Sequence, residues 1–221
     1  MNVICEKEIE KTKISHVEDR EYEIRNCYIK DSKYYNIRVS LVDISDCEIE
    51  SCSFSRSSIT LGEGIKNCKL SACDVKEFGF HSITFYENKI MKSSGKGVSF
   101  SNSQVRENVF LESKLDDILF SKADVCRNDF SHTELPHLMI SFSTLEENIF
   151  NNTLISDARM KYNKFSKDNF TNMKCCDSKF QKCTFEGIDF REATFENCVF
   201  EECKFIDCMF TEEQKELCGV E

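Results

Sequence analysis

The sequence contains no run of about 18 apolar residues, and Val3-Ile4-Cys5 passes straight into Glu6-Lys7-Glu8. Neither a membrane-spanning helix nor a secretory h-region is encoded, so a cytoplasmic location is expected and no membrane contact. A basic footprint is missing too: 29 Lys and Arg stand against 39 Asp and Glu, for a net charge of −10. Direct nucleic-acid binding, which needs clustered cations to displace counterions from phosphates, is not expected. No Gly-rich phosphate loop and no nucleophile elbow occur. The four histidines, His16, His81, His132 and His137, have no Cys or carboxylate at zinc-ligand spacing, and they read as isolated surface side chains. No catalytic residue, metal site or cofactor is therefore expected.

What is present is a period. From residue 178 to 210, Phe180, Phe185, Phe190, Phe195, Phe200, Phe205 and Phe210 recur every five residues. Two places before each stands a companion: Ser178, Cys183, Ile188, Ala193, Cys198, Cys203 or Cys208. A period of five fits neither an amphipathic helix nor a strand, and it marks an internal repeat. The series runs back to Ile65 with only Gly95 as an apolar gap; it then shifts by one and continues through Ile59 to Ile4, with Asp19 as the exception.

The block resembles the pentapeptide-repeat family, whose loose consensus is a small residue, a polar one, Leu or Phe, and two mostly polar ones. That resemblance implies an all-β fold, a right-handed quadrilateral β-helix of about ten coils with four pentapeptides per coil. Central and companion side chains would point inward and the other three positions outward. Nine of the 14 cysteines (Cys27, Cys47, Cys52, Cys68, Cys73, Cys183, Cys198, Cys203 and Cys208) are companions, and they read as small buried hydrophobes with reduced thiols rather than a disulfide framework.

Stacking residues one coil apart places Leu70, Ile90, Phe110, Phe130, Phe150, Phe170, Phe190 and Phe210 in one column, and Phe80, Phe100, Phe120, Ile140, Met160, Phe180 and Phe200 in another. Among companions, Asn88, Asn108, Asn128 and Asn148 recur with Asp168 next in line. Such a line is either a polar groove or an internal amide ladder that ends at Asp168, since a carboxylate lacks the donors to continue it. Residues 1–210 are read as the β-helix, with a phase shift at 60–64 and irregularity near 15–20 and 93–97. The extra residue around Gly62 and Gly64 should turn Glu63 outward, Gly95 should leave its corner thin or looped out, and Asp19 places the first regular coil near Ile24.

Residues 211–221 change character. Thr211-Glu212-Glu213-Gln214 fits a capping box and Gly219 can close a short helix. In the family such a helix caps the coil and joins two rods tail to tail, so Val199, Ile206, Met209, Leu217 and Val220 are candidate homodimer contacts; a monomeric cap is the other reading. Charge is uneven: residues 61–120 and 121–180 each carry 8 cations and 8 acids, whereas 181–221 carry 4 and 11. Glu186, Asp189, Glu192, Glu196, Glu201, Glu202 and Asp207 would ring the last coils, either as ordinary solvation or as a binding collar. The quinolone-resistance branch of the family, acidic DNA-shaped dimers that bind DNA gyrase, makes gyrase mimicry the most specific candidate. The balanced, Lys-rich middle departs from that pattern. The alternative is a scaffold for another protein, docked at an outer patch of Leu119, Met139, Phe142 and Tyr162.

Overall fold

The computed structural model describes residues 2–19, 22–62 and 64–220, so Glu63 and the side chain of Asp19 lie outside the described residues. Most strands are three residues long, as in Lys179–Gln181, with the central residue inward and its two neighbours outward. The residue after each strand turns the corner in the left-handed region, for example Asp117 at φ 57, Asp157 at 53 and Asp177 at 50. Asn, Asp and Gly take many of these corners because they tolerate that conformation best.

Repetition of strand and corner coils the chain into parallel sheets. One wall is an 11-stranded sheet from Asn2–Cys5 to Lys204–Ile206. A second is a 6-stranded sheet from Glu8–Glu10 to Val109–Leu111, prolonged by single bridges at Asp129, Ile149 and Asn169. The remaining two walls belong to one 15-stranded sheet and the long strands attached to it, such as Asp74–His81 and Ser94–Ser101, which run across a corner that is broken in later coils. The whole is a right-handed, four-sided β-helix closed by one helix, α1, Glu212–Cys218.

Register is 20 residues per coil, as in Phe180↔Phe200 and Leu70↔Ile90. Like rings therefore lie above like rings: Phe110 and Phe130 are 4.9 Å apart, Phe165 and Phe185 4.8 Å, and Phe180 and Phe200 4.6 Å. Each fully buried Phe stabilises by roughly 1.5–3 kcal/mol.

Between Ile44 and Ile65 the offset is 21 residues. The extra residue is accommodated by Gly62 at φ 120 and Gly64 at φ 89; a Cβ on Gly64 would meet the Thr84 carbonyl oxygen at 1.9 Å, so no other residue fits there. Two expectations are corrected. The coil begins at Asn2 rather than near Ile24, because Ile4, Ile9 and Ile14 pair in register with Ile24, Ile29 and Tyr34. This first coil is open at its end: Ile4 and Ile9 are only partly buried and Ile14 is exposed. Gly95 is not looped out; it sits in the long strand Ser94–Ser101, paired with Val75 and Leu115, and the missing side chain contributes to an internal cavity of about 80 Å³.

The asparagine line is a ladder, not a groove. Asn88, Asn108, Asn128 and Asn148 are fully buried, and each Nδ2 donates to the Oδ1 of the residue one coil on, at 3.0, 2.9, 3.0 and 2.8 Å. Each Nδ2 also donates to a carbonyl 23 residues earlier, at Ile65, Phe85, Val105 or Val125. The last rung, Asp168, accepts from the Asn148 backbone and side chain through Oδ1. Its Oδ2, at the place where the other rungs carry a donor, is buried without a partner. Burial pushes this carboxyl up to about 7 despite the hydrogen bonds from Asn148.

A folded-state value raised above the unfolded value of about 3.9 means that the native chain holds the proton more tightly. The neutral acid supplies the missing donor. Its contribution is complete below about pH 4 and is lost as pH rises through about 7. Asp168→Asn should restore a regular rung, so in urea unfolding the variant should gain about 2–4 kcal/mol over the parent at about pH 8 and much less at about pH 5. An equal difference at both pH values would contradict this assignment.

Candidate functional site

The interior leaves little for chemistry. All 14 cysteines are free thiols. Burial pushes Cys73 up to about 11 and Cys218 up to about 12, which keeps them protonated and unreactive. Among the described residues no group of three or more His, Cys, Asp or Glu is placed to hold a metal ion. No helix is long and apolar enough to cross a membrane.

On the outside, an open groove of about 410 Å³ is lined by Lys96, Asp116, Asp117, His137, Met139, Asp157 and Arg159. His137 is not isolated, as its spacing suggested: Nδ1 lies 2.8 Å from Asp116 Oδ1, and Lys96 Nζ is 3.3 Å from the same carboxylate. The hydrogen bond to His137 and the neighbouring Lys96 hold Asp116 below the usual carboxylate range. Among the described residues that line the groove none carries a hydroxyl or thiol.

The acidic collar does occupy all four walls, but four of its seven members are neutralised. Glu186 pairs with Lys164 at 2.8 Å, Asp189 with Arg191 at 2.7 Å, Glu201 with Lys179 at 2.6 Å and Glu202 with Lys182 at 3.6 Å. In the first three the hydrogen bond to the cation pulls the carboxyl below its ordinary range. Glu192, Glu196 and Asp207 are exposed and make no ion pair among the described residues. Sequence reasoning missed these pairs because most join residues 20 or 22 apart, across adjacent coils.

At the C-terminal end, α1 carries the expected capping box: Thr211 accepts from the Gln214 backbone N–H, and the Gln214 side chain accepts from the Thr211 N–H. Gly219 closes the helix in the left-handed conformation. Gln214 Nε2 also donates to the carbonyls of Phe190 and Ala193, at 2.7 and 2.9 Å, which pins the helix to the coil below. The helix packs on Val199–Glu201 and buries Gln214 and Cys218, not Leu217. Phe195, Phe200, Phe205 and Phe210 stay only partly buried, so the end of the core is incompletely covered. Val199, Ile206, Met209 and Leu217 are exposed, and Val220 is partly so. The first three stand on three different walls; they rim the end rather than form one side patch.

The structure resolves the outer apolar patch into two pairs. Leu119 and Met139 are paired in register, and Phe142 and Tyr162 stack with centroids 5.0 Å apart. Both aromatic residues stand at left-handed corners, φ 52 and 57, and are 58% and 40% exposed. Lys161 and Lys182 place Nζ 5.1 and 5.7 Å from the Tyr162 ring centroid.

Residues 180–212 match the family described as pentapeptide repeats (9 copies). No curated protein matches the sequence. Among solved structures, the chain is similar to trypsin-treated QnrB1, a plasmid-mediated fluoroquinolone resistance protein, at 13% identity and TM-score 0.47, covering 99% of this chain and 96% of that one. It is also similar to HetL, a pentapeptide repeat protein involved in heterocyst differentiation regulation in the cyanobacterium Nostoc, at 14% identity and TM-score 0.42, covering 92% and 86%. The periplasmic alginate epimerase AlgG is similar at 8% identity and TM-score 0.30, covering 92% and 77%.

Proposed function

Because this chain is a pentapeptide-repeat protein, matched as such over residues 180–212 and coiled in the same way along its described length, we propose that it is a non-catalytic binding rod that presents shape and charge to a protein partner. The observation that carries the reading is the contrast between an interior of stacked rings and an amide ladder, and an exterior whose side chains differ from coil to coil. Function then lies in what the outward positions display.

The rod pairs with a second copy at its C-terminal end. Support comes from the incompletely covered Phe195, Phe200, Phe205 and Phe210 and the apolar rim of Val199, Ile206, Met209, Leu217 and Val220. An open coil end with exposed apolar residues favours end-to-end contact.

The most specific partner is DNA gyrase, met as a DNA mimic, with protection from quinolones. What favours it is the net charge of −10 and the free carboxylates Glu192, Glu196 and Asp207, which an end-to-end dimer would bring together at its middle. The four ion pairs of the collar weaken that field. A second reading, a scaffold for a different protein, is favoured by the stacked Phe142–Tyr162 pair.

Light scattering after gel filtration should give twice the chain mass, and Met209→Glu with Leu217→Glu should give a folded monomer. A monomeric parent chain would remove the dimer. In a supercoiling assay, micromolar protein should inhibit gyrase or relieve its quinolone poisoning, with the effect weakened at least several-fold by Glu192→Lys with Glu196→Lys. No effect of the parent chain on gyrase would leave only the scaffold reading.

A further inference from the structure

One wall of this acidic rod carries no carboxylate over eight successive coils. Its outward columns run in register from Arg38 through Ser58, Gly79, Ser99, Leu119, Met139 and Arg159 to Lys179, beside Thr60, His81, Ser101, Ser121, Ser141, Lys161 and Gln181. The corners along one edge, from Leu41 to Lys182, are equally free of acid, whereas Glu77, Asp117, Asp157 and Asp177 stand at corners along the other edge. The wall is about 34 Å long at the usual strand spacing. It ends in acid on both sides, at Glu18 below and at Glu201 and Glu202 above.

Its cations are Arg38, Lys122, Arg159, Lys161, Lys179 and Lys182. Five of them gather in the upper coils around the Phe142–Tyr162 stack. Lys179 and Lys182 are tied to Glu201 and Glu202, whereas Lys122, Arg159 and Lys161 make no ion pair among the described residues. The rest of the floor is mostly small: Ser, Gly and Thr.

In a chain with 39 Asp and Glu, Lys122 and Lys161 thus stand beside the aromatic pair with no acid on their own wall or on the adjoining Leu41-to-Lys182 corner line, a cationic strip on an overall negative molecule. We propose that this wall is the docking lane for an acidic, extended segment of a partner protein, with an apolar side chain of that segment seated against Leu119, Met139, Phe142 and Tyr162. The inference rests on the binding-rod reading and gives its partner a chemistry. Charge complementarity selects the segment, and the aromatic pair with Met139 and Arg159 supplies the residue types that carry binding energy at protein interfaces.

A single-stranded nucleic acid fits less well. Base stacking needs free ring faces, but Phe142 and Tyr162 cover each other and Lys182 lies near the Tyr162 ring. The net charge of −10 also opposes a long polyphosphate. Along one edge the corner residues Asp117, Asp157 and Asp177 would repel any polyanion that strayed sideways, which keeps an acidic segment parallel to the rod axis.

The test uses the full chain and a fluorescein-labelled poly-Glu peptide carrying one Phe, followed by fluorescence anisotropy, with oligo(dT) and phosphatidylserine vesicles as competing probes. The peptide should bind, and added NaCl should weaken it. Arg159→Glu with Lys161→Glu should lower its affinity about tenfold or more, and Phe142→Ser several-fold, while Lys174→Glu on another wall should leave it unchanged. All these side chains are outward, so circular dichroism should match the parent. No binding, an equal loss in Lys174→Glu, or tighter binding of oligo(dT) or vesicles would overturn the inference. Any of these results would leave the binding-rod reading to the dimer and gyrase assays, which probe different residues, in the last coils and α1.

Discussion

Every feature of this protein depends on the stacking of each coil on the next in a register of 20 residues, lengthened to 21 where Gly62 and Gly64 take up one extra residue. Parallel ladders put a residue directly above its counterpart, and the interior is stable only where counterparts suit one another. Phe over Phe does so by ring stacking, and Asn over Asn by passing one amide hydrogen up the line while the other meets a carbonyl. Each layer thus depends on its two neighbours and on little else, as expected of a solenoid. Because the inward positions are committed to this task, any activity must be written on the outward ones.

The outward positions obey a second rule, set by the left-handed corner. A short polar side chain or glycine suits that backbone, so Phe142 and Tyr162 at φ 52 and 57 are placed against local preference. They stand on the one wall that acids avoid, and Lys161 and Lys182 lie close to the Tyr162 ring. At the C-terminal end the opposite holds: the acids are numerous, yet Lys164, Lys179, Lys182 and Arg191 neutralise four of the seven collar members. Composition by segment is a poor guide to the potential of a solenoid, since pairing runs between coils.

The fold was legible in the sequence because five-residue spacing is a property of the chain alone, and so were the columns and the amide ladder. The start at Asn2 is not legible because Asp19 interrupts the apolar series, whereas the pairing of Ile4, Ile9 and Ile14 with the next coil is a property of the backbone ladder. Asp168 was correctly read as the last rung, but the orphaned Oδ2 depends on which neighbour lies below it. The pairing of His137 with Asp116 and the collar ion pairs depend on side-chain directions between coils, which spacing does not encode. The acid-free wall had a signal: sorting outward residues by position in the 20-residue coil would have isolated Arg159, Lys161 and Lys182 beside Tyr162.

The account stands on register, and register can be tested by excision. Removing residues 129–148 takes out one whole coil and joins Asn128 to Ile149, leaving every column and the amide ladder in phase. Removing residues 129–146 takes out almost the same mass but breaks the phase. The first variant should unfold cooperatively with a midpoint within a few degrees of the parent, and the second should lose most of its β signal in circular dichroism. Equal behaviour of the two deletions would contradict the account.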